Sequence, residues 1–115
     1  SSQKRKRMLY KYRATVVRVI DGDTIDVDID LGFFTVLHRQ RIRLYGIDAP
    51  EVRGSERFSG LESKAWLKHK IEGREIELVT FKDAKGKYGR WLGVIYFKNR
   101  NINELMVKKD LAQSI

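Results

Sequence analysis

From Thr24 to Asp30 the chain alternates without exception, with Ile25, Val27 and Ile29 on one side and Thr24, Asp26, Asp28 and Asp30 on the other. A period of two is no helix face; it specifies an extended strand with one buried and one wet surface. The pairs that bound it, Asp21-Gly22 and Leu31-Gly32, are turn signals, so the strand sits between two reversals. Ahead of it, Arg13 to Ile20 is rich in β-branched residues (Thr15, Val16, Val17, Val19, Ile20). Behind it, Phe33 to Ile47 reads as a long or broken strand, with Ile42 and Leu44 opposed to Arg41, Arg43 and Tyr45. Three antiparallel strands in a meander are predicted.

The only proline, Pro50, ends this block, and the polar stretch from there to Ser59 reads as a surface loop. Ser59 stands three residues before Glu62, a capping-box spacing, and Leu61, Ala65, Trp66, Leu67 and Ile71 form an apolar stripe that stops at Gly73. A helix of about three turns is expected there. Glu75 to Phe81 and Trp91 to Phe97 are two more strands, and a short helix capped near Asn101 or Asn103 carries Leu105, Met106 and Leu111 inward. Trp66 and Trp91 are expected in the core. The order β-β-β-α-β-β-α in 115 residues suits a mainly β, α+β fold. Its expected form is a five-stranded OB-fold Greek-key barrel with a helix between strands 3 and 4 and a short C-terminal helix. The domain is expected over residues 12–115, after a basic tail over residues 1–11.

The formal net charge is +9, yet the first 13 residues hold six bases and no acid, so most of the excess belongs to the tail. Such a run either grips phosphates without reading sequence or is a solvated arm, and the body alone does not establish a nucleic-acid partner. With no Cys, and with His38 and His69 far apart, a structural zinc site is not expected, and both histidines are expected at the surface or satisfied by neighbours. No apolar run approaches the ~18 residues of a membrane span. No membrane and no obligate protein partner is expected. The basic run at residues 4–7 is followed by too short an apolar stretch for a secretory signal, leaving the compartment open between secretion with a signal removed and the cytoplasm.

Three pieces gather charge at expected strand ends: Asp21-Gly-Asp-Thr24, Arg43-Leu-Tyr-Gly-Ile-Asp-Ala-Pro-Glu51 and Lys87-Tyr-Gly-Arg90. The first and last, taken alone, are ordinary turn chemistry. The middle one is harder to explain as a turn, because Asp48 and Glu51 flank the proline, which fixes its own φ and holds Ala49 extended. Acids in a fixed relation suit a cation. A hard metal such as Ca²⁺ takes carboxylate, carbonyl and water oxygens, which Asp23, Asp48 and a neighbouring carbonyl can supply in part. Arg43 and Asp48 are five apart, an odd spacing that would put them on opposite faces of a regular strand. An isolated glycine often marks a bulge, so a bulge or bend is predicted at Gly46.

In this order the three pieces resemble the motifs of the staphylococcal nuclease (thermonuclease) family, and Gly60 to Ala65 and Ile102 to Ala112 are similar to it as well. The resemblance spans residues 12 to 112 and implies an OB-fold, Ca²⁺-dependent phosphodiesterase. Such an enzyme hydrolyses DNA and RNA with little sequence preference and leaves 3′-phosphate ends. Carried over residue by residue, Asp23 and Asp48 are the metal carboxylates, and Ala49 contributes its backbone carbonyl where a threonine is common. Asp21 is a companion acid rather than a ligand. Glu51 orients or deprotonates water, while Arg43 and Arg90 neutralise charge on the phosphorane. An ordinary glutamate, with a pKa near ~4.3, is a feeble base at neutral pH, so positioning water is its main contribution. Lys87 and Tyr88 are phosphate and sugar or base contacts at the rim, which favours frayed or single strands. The segment from Asp23 to Arg43 is longer than in the type enzyme and predicts an extended hairpin around Leu31 to His38, with Phe33 and Phe34 near its tip; a packed satellite cluster is expected there, the alternatives being a substrate flap or an oligomer contact.

The alternative is a catalytically weak or inactive nucleic-acid-binding OB module. Binding alone would need bases and aromatics but not Asp23, Asp48 and Glu51, whose charges repel phosphate unless a cation intervenes. A protein-interaction domain would leave all three acids without a purpose.

Overall fold

The structure is a computed structural model that describes residues 10–52, 54–82 and 91–115. The strands are β1 (Tyr10–Asp21), β2 (Thr24–Gly32), β3 (Thr35–Leu44), β4 (Ile47–Asp48), β5 (Glu75–Lys82), β6 (Trp91–Phe97), β7 (Arg100–Asn101) and β8 (Gln113–Ser114). A 3-10 turn over Gly54–Glu56 leads into helix α1 (Arg57–Ile71), and α2 covers Ile102–Lys108. The meander β1-β2-β3 forms as the alternation requires: Ile25, Val27 and Ile29 are buried, and Asp26, Asp28 and Asp30 face outward against Arg41, Arg39 and solvent. Strand β5 then pairs antiparallel with β1, and β6 with β5. A short parallel contact of Ile42–Leu44 with Trp91–Gly93 closes these five strands into the barrel. The core inside it includes Val16, Ile25, Val27, Ile42, Leu44, Leu78 and Ile95, plugged at one end by Leu67 and Ile71 of α1 and by Ile102 and Met106 of α2.

Helix α1 departs from its expected outline. It begins at Arg57, so Ser59 lies inside the first turn rather than capping it. The reason is the 3-10 turn, entered through Gly54 with φ +65°, which already winds the chain before Ser59. Fifteen residues give about four turns. The buried stripe is Gly60, Ser63, Leu67 and Ile71, whereas Leu61 and Ala65 face solvent and Trp66 is only partly buried. Small residues carry this face because the helix presses directly on backbone. Gly73, with φ +76°, ends the helix as expected, and its N–H donates to the Val16 carbonyl at 2.7 Å. Of the two candidate caps for α2, Asn101 takes the role, its side chain accepting from the Glu104 N–H at 3.0 Å. Trp91 is 40% exposed at the end of the barrel joint, contrary to its expected place in the core.

The extended β2–β3 hairpin exists, but its tip packs on nothing in the described chain: Phe33 and Phe34 are fully exposed, so the expected satellite cluster does not form. The hairpin bulges where Asp28 faces both His38 and Arg39. Arg39 is left-handed there, with φ 53°, and its N–H donates to Asp28 Oδ1 at 2.9 Å while His38 Nδ1 lies 3.2 Å from Oδ2. The backbone hydrogen bond from Arg39, aided by His38, holds the Asp28 carboxyl below the usual aspartate range. A depressed folded-state value means that the contribution of the ionised group is intact above the ordinary aspartate value and is lost as pH falls through the lowered one. The Arg39 amide proton should therefore shift with a midpoint below about 3.9 in an NMR titration, and Asp28→Asn should abolish that transition.

Candidate active site

Asp23 ends the β1–β2 turn, and its carbonyl accepts the Leu44 N–H at 2.8 Å, which locks the turn against the end of β3. In the same register Thr24 faces Arg43. After Leu44 the strand stops. Tyr45 and Gly46 turn, with Gly46 at φ +77°, and the chain resumes as β4. The bend predicted at Gly46 is thus a turn between two strands, and it brings Asp48 back to the face that carries Arg43. Arg43 Nη1 lies 3.0 Å from Asp23 Oδ2, and Nη2 donates to Asp48 Oδ1 at 3.3 Å. The Asp23 carboxylate is nearly buried; Oδ1 accepts from the Thr24 hydroxyl and Oδ2 from the Ala49 N–H, both at 3.0 Å.

The guanidinium bridges two acids that are 25 residues apart in sequence, and it is itself largely buried. Its Nη1 is close enough to Asp23 for a strong coulombic contact but has no acceptor in hydrogen-bonding geometry among the described residues. An unsatisfied donor in a charged, desolvated position is costly unless something supplies an oxygen. Around this pair opens a cleft of about 600 Å³ lined by Asp21, Asp23, Asp48 and Glu51 on the acidic side and by Arg18, Arg43 and Lys64 on the basic side. Glu51 is exposed on this wall, just beyond Pro50. Five of the sequence candidates (Asp23, Arg43, Asp48, Ala49 and Glu51) therefore share one cleft. The remaining three, Lys87, Tyr88 and Arg90, lie outside the described residues.

Several residues that shape the cleft were not singled out from sequence. A Cβ on Gly22 would come within 2.8 Å of the Ser63 Cβ and 2.9 Å of the Ala49 Cβ, and one on Gly60 would overlap the Glu51 carbonyl. Helix α1 is thus a platform on which the Asp21–Asp23 turn and the Ala49–Val52 loop lie in direct contact. Ser63 donates its hydroxyl to the Leu111 carbonyl at 2.6 Å, tying the platform to the C-terminal segment. That segment forms β8, in which Gln113 pairs with Asp48 and Ser114 with Ile47. Buried Asn103 donates to the carbonyls of Tyr45 and Gly93 and accepts from the Ile95 N–H. Lys64 and Arg18 complete the basic wall. The signal for Gly60 and Ser63 was their spacing of three on one helix face; two-residue β8 had none.

The family model described as staphylococcal nuclease homologue matches residues 41–115. The chain belongs to that family. The matched span carries Arg43, Asp48, Ala49 and Glu51, and the fold brings Asp23 to them from outside it. The chain is 33% identical over 102 residues to the thermonuclease of Staphylococcus hyicus, covering 86% of this chain and 57% of that protein. It is 37% identical over 112 residues to the micrococcal nuclease of Shigella flexneri, covering 88% and 57%. It is also 37% identical over 109 residues to Protein ParB of Escherichia coli, covering 87% and 55%. The chain spans a little over half the length of these relatives.

Gly60→Ala should destabilise the protein by about 1–3 kcal/mol, since helix and loop must part to admit the methyl. Equilibrium urea unfolding measures this. Leu61→Ala, on the exposed neighbouring position, should change stability by less than about 1 kcal/mol.

Proposed function

We propose that the chain is a Ca²⁺-dependent, sugar-nonspecific nuclease that hydrolyses phosphodiester bonds of DNA and RNA, single strands first, to 3′-phosphate products. The observation that carries this reading is the convergence of Asp23 and Asp48 on the two terminal nitrogens of Arg43, at 3.0 and 3.3 Å, beside Glu51 in one cleft. Among the described residues four acids line the cleft, and their charge repels phosphate unless a countercharge sits between them.

The donor set fits such a cation. Among the described residues no group of three or more His, Cys, Asp or Glu is arranged to hold a metal. The two carboxylates already share one cationic group, however, and with the Ala49 carbonyl and water they make an all-oxygen set suited to a hard ion. When bound there, Ca²⁺ supplies the countercharge to both carboxylates and polarises a nonbridging phosphate oxygen.

The protein's own groups do the rest. Arg43, its Nη1 buried against Asp23 Oδ2 at 3.0 Å, turns the remaining edge of its planar fork to a phosphate oxygen and stays charged through the reaction. Glu51, set beyond the stiff Ala49-Pro50 link, orients the attacking water and takes its proton as the water oxygen bonds to phosphorus; the P–O5′ bond breaks, and the departing 5′ oxygen takes a proton from solvent, which leaves the phosphate on the 3′ side. Arg90 adds a second positive charge for the growing anion, and Lys87 and Tyr88 hold the neighbouring phosphate and a base or sugar. Family membership supports these roles.

Digestion of single-stranded DNA by the purified protein tests the reading. Cleavage should require Ca²⁺ and cease with chelator. Arg43→Lys, Arg43→Ala and Glu51→Gln should each lower kcat/KM by about 100-fold or more while the fold, followed by circular dichroism, is retained. Equal cleavage in chelator, or variants that match the unaltered protein, would refute it.

A further inference from the structure

Strand β1 breaks its alternation just before the cleft. Val16 is buried and pairs with Val27, yet the next pair is Arg18 with Asp26, so Val17 is an extra residue that β2 does not match. Regular alternation would turn Arg18 inward with Val16. The bulge turns it instead to the outer face beside Asp26, where it is exposed, and returns Val19 to the core. Groups from another part of the chain hold this bulge in place. The Val16 N–H donates to the Arg74 carbonyl at 3.0 Å, the Gly73 N–H to the Val16 carbonyl at 2.7 Å, and the Val19 N–H to Glu72 Oε2 at 3.0 Å. A bulge whose polar groups are answered in this way is a built feature, and a bulge beside a cleft re-aims a side chain.

The side chain so aimed has no acid of its own. Both oxygens of its neighbour Asp26 are taken by Arg41, which donates through Nε to Oδ1 at 3.0 Å and through Nη2 to Oδ2 at 3.3 Å. Lys64 lines the same cleft from helix α1, half-buried, about one turn after Gly60, the residue that rests on the Glu51 carbonyl. Neither Arg18 nor Lys64 forms an ion pair among the described residues, whereas Arg43 is shared between two acids. Of the described bases that line the cleft, these two are therefore the ones with uncommitted charge. The register places Arg18 two strands over from Arg43 and two residues along. Sheet spacings make that roughly 12 Å between Cα positions, a separation that neighbouring phosphates of one extended strand can match.

We propose that Arg18 and Lys64 form a second phosphate subsite, which takes a phosphate of the substrate strand near the one held at Arg43. The inference rests on the nuclease reading above and adds a substrate class to it: strands that carry phosphates beyond the bond being cut, rather than dinucleotides with a single one. Charge selects this occupant. Asp21, Asp23, Asp48 and Glu51 line the same cleft and repel a strand that passes it, so the strand's other phosphates must be held by bases that no acid has already neutralised. Arg18 offers a planar fork to two oxygens, and Lys64 a compact charge on a flexible stem. Both bind and align the strand without touching the reacting bond. They are positioning residues, and their loss is felt in KM rather than in kcat.

The test compares cleavage of a dinucleotide with cleavage of a DNA strand of about eight nucleotides, both with Ca²⁺. Arg18→Gln and Lys64→Gln, which keep most of the aliphatic stems, should each raise KM for the longer strand by about tenfold. Their kcat, and the kcat/KM for the dinucleotide, should stay within about twofold of the unaltered chain. Arg18→Lys and Lys64→Arg should restore KM. A readout that needs no cleavage is the affinity for the fluorescent longer strand in a Glu51→Gln background. There each lost charge should flatten the dependence of log affinity on log salt by about 0.7. Lys11→Gln, which removes a charge near the other end of β1, should alter none of these values. No binding of the strand, or KM and salt slope that stay unchanged or change equally in Lys11→Gln, overturns the proposal. A chain that cleaves nothing, yet binds the strand with a slope that depends on Arg18 and Lys64, keeps the subsite and loses only the nuclease reading. Ca²⁺-dependent cleavage with KM and slope indifferent to both residues does the reverse.

Discussion

The parallel contact between β3 and β6 is the joint on which both barrel and cleft depend. It is only three residue pairs long and needs Gly93, where a Cβ would come within 2.7 Å of Ile42 Cγ2 and 2.8 Å of Leu78 Cδ1. The carbonyl of Gly93 accepts from the Tyr45 N–H at 2.8 Å and from the Asn103 side chain at 3.0 Å, so the joint has its polar groups satisfied where burial would otherwise penalise them. Arg43 lies at the middle of this contact, opposite Leu92, between the fully buried Ile42 and Leu44. Core packing therefore fixes the backbone from which the guanidinium springs.

From that fixed point the cleft follows by short steps. Closing the barrel forces the chain to leave β3 at Leu44, and Gly46 lets it turn through a left-handed conformation into β4. Strand β8 pairs with β4, and the Ile115 N–H donates to the Gly46 carbonyl at 3.0 Å, so Asp48 is presented from a paired strand although its side chain is exposed. Asp23 is held more tightly, by Thr24, by the Ala49 N–H and by Arg43. One acid is nearly dry and held by three partners, whereas the other is exposed and bonded to Arg43.

Most of the strand framework was legible because a strand with one buried face writes its period into the sequence, as Thr24 to Asp30 does. Five residues that line the cleft were singled out in the sequence too, Asp48 and Glu51 for their place around Pro50, Asp23 as an oxygen donor beside Asp48, and Arg43 and Ala49 with the ordered motifs. What escaped reading depends on contacts between distant segments. Gly60 and Ser63 look like poor helix residues and form the buried face of α1 because the neighbouring backbone admits nothing larger. Asn103 looks like a cap and serves as the buried stitch across Tyr45, Gly93 and Ile95. The start of α1 was misplaced because a 3-10 turn satisfied the role assigned to Ser59. The phenylalanines were placed at the right turn, yet their hydrophobicity suggested burial where the length of the hairpin allows none.

That hairpin shows how the two ends of the molecule can differ without weakening each other. Its arms are held along their length, by Arg41 with the Asp26 carboxylate at 3.0 Å and by the Asp28 bulge contacts with Arg39 and His38, before the tip is reached. The side-chain hydrogen bond and charge of Asp26 in turn raise the Arg41 guanidinium above its ordinary value. The bulge at Asp28 also twists the free edge of β3 away from regular pairing, which discourages strand-on-strand aggregation of a segment that carries Val36 and Leu37 in the open. Strain at Phe33 and Phe34 is therefore local, separated from the Arg43 joint by ladder contacts that do not share its residues. Substitutions at the tip should leave the cleft undisturbed, because sites that share no contacts contribute independently.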